Sequence, residues 1–244
     1  MKDKQGIRDY IQKIRDDGSK VALAEKKAFG LTSEQLVGVS QEFMAVVESS
    51  TKGVATGSAV KEMLGQLKVP VAFDAAARRA LAGGTKVNDE LQGLSIGTAI
   101  SAAIRPLGLI LVPKREQGKT LVIQIVDSQS SKENWPVGWP IEKPLDQIAP
   151  KLFDKLNNVE IRGFALQSIL DRFETRMEVP FIYDQNTMAR EGIELETTKV
   201  TLIKKKTSYM VALTKLLSQT KPQMKQELRV DENGKPFLWI SVPR

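Results

Sequence analysis

The chemistry open to this chain is set first by what it lacks: its 244 residues contain no cysteine and no histidine. Disulfides, thiolate nucleophiles and zinc ribbons are excluded. So are serine–histidine triads and histidine-ligated metals, because histidine is the commonest general base near neutral pH and the commonest metal ligand. Carboxylate-pair hydrolysis and a Ser–Lys pair survive. Asp74 and Asp184 are the obvious carboxylates, each closing the same kind of hexad, "VPVAFD" and "VPFIYD". Each also precedes a short helical stretch, "AAARRALAGG" or "QNTMAREG", whose first amides an aspartate can cap. A residue repeated in the same local place reads as a cap and not as half of a catalytic pair. Asp231-Glu232-Asn233 offers too few oxygens for calcium. "GVATGS" at 53–58 precedes a helix but lacks the Lys-Ser/Thr ending of a phosphate loop. Lys199 with Lys204, Lys205 and Lys206 makes either a basic edge for a polyanion or a lysine-guarded strand, the second being preferred. Catalytic, cofactor and metal residues are therefore expected to be absent, and Trp135 and Trp139 remain as candidate partner-binding residues.

The hexads recur because their surroundings recur. Lys52-Gly53-Val54-Ala55 aligns with Arg162-Gly163-Phe164-Ala165 ahead of two amphipathic stretches. Val60, Met63, Leu64 and Leu67 fall at helical spacing, as do Leu166, Ile169, Leu170 and Phe173. Val-Pro should end each helix near Val69 and Val179, because proline disfavours helix at the residue before it. Val71-Ala72-Phe73 and Phe181-Ile182-Tyr183 then suit short buried strands. "TKV" recurs at 85–87 and 198–200. The second copy continues as a convincing strand, Val200-Thr201-Leu202-Ile203, whereas the first, "VNDELQG", is polar and reads as short or irregular. Ser95 and Ser208 stand as N-caps, with Ile96, Ile100, Ala103 and Ile104 in phase with Tyr209, Leu213, Leu216 and Leu217. Both copies finish in two strands, one pair around Gln117-Gly118 and the other around Asn233-Gly234, the latter a strong hairpin signal.

The expected fold class is α+β. Two tandem repeats of a small β-α-β-β-α-β-β unit, each a sheet covered by two helices, follow an N-terminal helical segment. The expected organisation is 1–30 for that segment, 31–128 for the first unit, 129–144 for a Trp/Pro-rich linker and 145–244 for the second unit. In the first segment Ile7, Tyr10, Ile11 and Ile14 form one stripe, and Thr32 with Gln35 reads as a capping box. In the linker, Trp135 and Trp139 flank Pro136-Val137-Gly138. They either staple the linker onto the units, the preferred reading, or present a partner site.

The order helix–"VP"–strand, then helix–"LGL"–hairpin, resembles the short N-terminal domain of secretins and TonB-dependent receptors over roughly 46–127 and 156–244. "WPVGWP" at 135–140 and "LRVDENGKPFLWI" at 228–240 are similar to a group of exported bacterial proteins with paired domains of this kind and no assigned activity. The resemblance implies a non-enzymatic module that binds a protein partner or itself, in the periplasm or cell envelope. It implies no pore, since no barrel follows Val242-Pro243-Arg244. The start, "MKDKQGIRDY", carries no apolar signal region, so cytoplasm stands as the alternative location. No apolar run is long enough to span a membrane. A net charge of +7 leaves a basic nucleic-acid or polyanion-binding module as the alternative function. No small-molecule substrate is expected.

Overall fold

Thr32 starts the first helix by the expected reciprocal capping: its side chain accepts from Gln35 N, and the Gln35 side chain accepts from Thr32 N. The computed structural model describes residues 28–115 and 120–243. The stripe from Ile7 to Ile14 and the Gln117-Gly118 turn lie outside the described residues. The elements run α1 (Ser33–Phe43), α2 (Thr56–Leu64), β1 (Val71–Phe73), α3 (Ala75–Ala82), α4 (Ile96–Ile104), β2 (Leu109–Arg115), β3 (Leu121–Asp127), β4 (Trp139–Pro140), α5 (Leu145–Ile148), β5 (Lys155–Ala165), α6 (Leu166–Met177), β6 (Phe181–Tyr183), α7 (Gln185–Arg190), β7 (Lys199–Ser208), α8 (Tyr209–Leu217), β8 (Lys225–Val230) and β9 (Pro236–Ser241). The class is α+β, with small sheets and eight α-helices among the described residues.

Local chemistry sets most boundaries. Asp74 Oδ1 accepts from Ala77 N at 2.7 Å and opens α3, while its Oδ2 takes Asp127 N at 3.0 Å. Asp184 opens α7 through Thr187 N at 3.4 Å, and Ser208 opens α8 through Val211 N at 3.4 Å. Ser95 occupies the same position before α4 but makes no capping bond. Helix α2 ends at Leu64, five residues short of Val69, because Gly65 closes it; Leu67 lies beyond the helix. Helix α6 runs the expected length, and Glu178 stops it in the left-handed region (φ 55°) just before Val179. The Asn233-Gly234 turn is wider than a two-residue hairpin. Val230 pairs with Pro236, and the Asp231 carboxylate organises the loop by accepting from Asn233 N (2.9 Å) and Lys235 N (2.8 Å).

Among the described residues three sheets result, in the orders β1-β3-β2, β4-β8-β9-β6 and β5-β7. In the first, β1 runs parallel to β3 with Val71 opposite Ile123 and Phe73 opposite Ile125, and β2 is antiparallel to β3. In the second, β6 runs parallel to β9 with Phe181 opposite Leu238 and Tyr183 opposite Ile240, and β8 is antiparallel to β9. Strands β5 and β7 form an antiparallel ribbon interrupted by three register shifts.

Two compact units divide the described residues. The first holds residues 28–46, 55–85 and 95–136; the second holds 47–54, 86–94 and 137–243. Contiguous sequence boundaries would group 47–54 and 86–94 with the first stretch. Instead these segments bond to each other, Val47 N to Leu94 O at 2.9 Å and Gly53 N to Val87 O at 2.8 Å, and belong to the second unit. There Lys235 Nζ holds Gly93 O at 2.9 Å. Segment 87–93, expected as a short or irregular strand of the first copy, forms no strand.

Helix α4 is the hub of the first unit. All nine of its residues are buried, against α1, α2 and β2, which requires a sequence apolar or small on every side. Gly57 in α2 explains "GVATGS": a Cβ there would meet Leu81 O at 2.3 Å, so the glycine permits close approach to α3. In the second unit α6 and α8 pack on each other and on the strands, with Phe173 edge-on to Tyr209 at 5.2 Å. No helix among the described residues is long and apolar enough to cross a membrane.

The two amide bonds to Asp74 hold its carboxyl below the usual range, the bond from Ala77 being the larger cause and that from Asp127 the next. Its stabilising contribution is therefore complete at neutral pH and is lost as pH falls below about 3.8. Asp74→Ala is expected to cost about 1–2 kcal/mol at pH 7. Urea denaturation should show the deficit shrinking toward pH 3, with Asp74→Asn retaining most of the cap.

Candidate binding site

The two tryptophans separate. Trp135 belongs to the first unit, 3% exposed, its ring stacked on Phe29 at 6.0 Å and edge-on to Phe43 at 4.8 Å and its backbone N–H donating to Leu111 O at 2.7 Å. It is a core residue and offers no surface to a partner. Trp139 lies in the second unit, in β4, opposite Val230 and 36% exposed. Between them Val137 is buried and its carbonyl accepts from the Arg229 guanidinium at 3.0 Å. Gly138 has φ 68°, and a Cβ there would meet the Phe237 ring at 2.3 Å. The stretch is thus packed, each half onto its own unit.

The lysines lie on an exposed surface. In β7, Val200 and Leu202 point inward, and Ile161 of β5 is buried opposite Leu202. The outward side carries Lys199, Thr201 and Ile203 from β7 with Arg162 of β5, opposite Thr201; beyond a register shift Phe164 pairs with Val200. Ile203 is 81% exposed and Phe164 50%. Lys204 and Lys206 continue the basic character, and the register shifts re-aim the strands there. The ribbon thus exposes two large apolar side chains on strands that also carry cations.

A second feature escaped the sequence reading. Strand β6 is an edge strand of its sheet, so alternate amides have no neighbouring strand to bond. Two carboxylates take them: Glu174 Oε1 accepts from Phe181 N at 2.8 Å, and Asp89 Oδ2 from Tyr183 N at 3.4 Å. Asp89 Oδ1 receives the Gln185 amide at 3.4 Å. Beside them opens a cleft of about 540 Å³ within the second unit. Its walls are acidic at Asp89, Asp171, Glu194 and Glu196, and apolar at Met188, Ile193 and Leu195. Lys52 is the one cation among the described lining residues. Gln167, Asp171 and Glu174 share one face of α6 by their spacing, and Gln167 Nε2 holds Asp171 Oδ1 at 2.7 Å.

Burial drives Asp89 up to about 7; Glu174 adds to the rise, and bonds from Tyr183 and Gln185 together with Lys52 oppose it. Burial also raises Glu174, against the bond from Phe181 and the charge of Lys52. The Tyr183 phenol is pushed well above its usual range by burial, then by Glu174, Asp89 and Asp171. Its ring is partly exposed, but its hydroxyl oxygen is out of solvent and has no hydrogen-bond partner at normal geometry, although Gln167 stands near enough to oppose the shift. Burial of Glu90 would raise it, but bonds from Ser50, Thr51 and Gln92 together hold it low. The arrangement can hold a proton or a cation among carboxylates.

Asp74 and Asp184 do not meet in this cleft. Both act as helix caps, in different units. Asp89 sits in the polar stretch "VNDELQG", where nothing in the residue pattern announces burial. Tyr183 was legible only as a strand residue. No protein-family model, curated protein or solved structure matches the chain.

Because the Asp89 carboxyl is raised, the folded protein binds more protons than the unfolded chain between about 3.8 and 7. Stability due to this residue is therefore highest at the acidic end of that window and falls as pH rises through it. Asp89→Asn should remove this slope and exceed the parent in stability by about 1–3 kcal/mol at pH 8. Denaturant midpoints at pH 5 and pH 8 test the sign.

Proposed function

We propose that this chain is a non-enzymatic tandem module of the bacterial cell envelope that docks an acidic protein segment on the outer face of the β5–β7 ribbon. The observation that carries the reading is that face itself. Ile203 and Phe164 stand exposed on the ribbon, where solvent contact is unfavourable and a partner would bury them. Lys199, Lys204, Lys206 and Arg162 lie on the same two strands. A second copy of the same face would bring like charges together, so charge complementarity favours an acidic partner over self-association.

The tandem-repeat reading rests on matched details. Both parallel strand pairs have the same register, with Asp74 N bonded to Ile125 O at 3.3 Å and Asp184 N to Ile240 O at 2.8 Å. Both pairs are followed by an aspartate-capped helix. The envelope location and the likeness to the short N-terminal domain of secretins rest on the residues quoted above. The capping roles of Asp74 and Asp184 leave both carboxylates engaged locally, which supports a binding role over hydrolysis.

Capture from envelope extract, with the captured protein identified and its affinity measured by calorimetry, tests the proposal. Ile203→Asp combined with Phe164→Asp should weaken binding at least about tenfold, since a few side chains dominate an interface, without shifting the unfolding midpoint. Unchanged binding would remove the ribbon from the interface. The lysines on β7 favour a polyanion as the second reading. Submicromolar binding of duplex DNA that falls steeply between about 50 and 200 mM salt would establish it instead.

A further inference from the structure

Four features outside the ribbon face converge on the cleft beside β6. Its charge is opposite to that of the whole protein: four carboxylates and one lysine line it, in a chain of net charge +7. The Tyr183 hydroxyl oxygen is out of solvent and, with only the Gln167 side chain near, has no hydrogen-bond partner at normal geometry, which for a buried polar group is costly and uncommon. The Asp89 carboxylate makes only two long bonds, both 3.4 Å, and leaves acceptor capacity unused. Met188, Ile193 and Leu195 supply an apolar wall beside these polar groups. Few convergent polar groups on an apolar wall, in a cavity of this size, describe a small-ligand site.

We infer that this cleft binds an alkylammonium group, its three N–H donors directed to Asp89, Asp171 and the Tyr183 oxygen and its carbon stem laid on Met188, Ile193 and Leu195. An ammonium has three donors and no acceptor, so a ring of carboxylates and a phenol oxygen satisfies it completely. The groups that bear on Asp89 and its neighbours are Lys52 and Glu90 from the paired segments, Asp171 and Glu174 from α6, Tyr183 from β6, and Glu194 with Glu196 from the loop before β7. Entry of a cation favours ionised Asp89, so binding releases a proton and strengthens as pH rises. The ligand is either a free amine or a lysine side chain of a polypeptide. The assignment stands whether or not the ribbon face docks a partner.

Titration of the ¹⁵N-labelled full chain with n-butylamine, followed by NMR, is the test. Shifts should centre on Asp89, Tyr183 and Ile193, with a Kd of about 1 mM, a reasonable value for so small a ligand. Affinity should rise about tenfold from pH 6 to pH 8, as Asp89 ionises around 7 while the amine, with a lysine-like pKa near 10.4, stays charged. Asp89→Asn should weaken binding about tenfold or more. Tyr183→Phe removes a hydroxyl that bonds to nothing, so it should fold normally and weaken binding about threefold or more. Equal shifts with n-butanol, or no cleft shifts at about 20 mM amine, would overturn the assignment, as would wild-type affinity in Tyr183→Phe and Asp89→Asn alike. N-acetyl-lysine methylamide separates the sources. Tighter binding than butylamine assigns the cleft to a polypeptide lysine, and weaker binding assigns it to a free amine; either supports ammonium recognition.

Discussion

Each sheet that carries a hairpin in this protein depends on one junction: a three-residue strand laid parallel to the last strand of the sheet and ended by an aspartate. A strand that short makes few ladder bonds and would not hold its register alone. The aspartate ties it down from both directions. Asp74 donates its amide to Ile125 O, accepts Ala77 N and accepts Asp127 N. The backbone of β1, the start of α3 and the end of β3 are thereby fixed in a single carboxyl group's reach. At Asp184 the same work is shared. Its amide goes to Ile240 O, its carboxylate to Thr187 N, and Thr187 Oγ1 accepts Val242 N at 3.4 Å. The helices that bury each sheet can be placed only once this register exists.

The junction has a consequence at the open side of β6. A parallel pair satisfies one edge of the short strand and leaves the other bare. Carboxylates from α6 and from segment 86–94 accept those amides in place of another strand, which protects the edge from pairing with a stranger. The cost is acidic groups drawn out of water, visible in the raised Asp89 and Glu174 carboxyls. Asp89 thereby serves two roles, edge protection and part of the acidic lining of the cleft. The ribbon β5–β7 solves its edges differently, with lysines and register shifts, and so has the opposite surface character.

Residue pattern revealed some elements and hid others for definite reasons. Helices α4 and α8 were legible because four apolar positions recur in helical phase, and Thr32–Gln35 because capping is local chemistry. Strand β5 was expected only as the first strand of the unit, without bounds, because its shifts against β7 break the alternation that marks a strand: Leu156, Val159 and Ile161 do not all fall on a period of two. Helix α2 was read too long, because Leu67 continues the apolar spacing past Gly65. Trp135 and Trp139 looked equivalent in "WPVGWP", yet one is core and the other half-exposed. A tryptophan's burial depends on which surface reaches it, and here Phe29 and Phe43 arrive from roughly a hundred residues away.

What the sequence alone determined is the class and the chemistry available: α+β, without thiols or imidazoles, punctuated by Val-Pro, Asp and Gly where short-range sterics and capping decide. What only the tertiary structure decided is which polar groups lose their water. Asp89, Tyr183 and Glu174 come from separate stretches of chain, and nothing in their neighbours distinguishes them from solvated residues. Their perturbation comes from burial and from one another's charge, and both are properties of positions in space rather than of order along the chain.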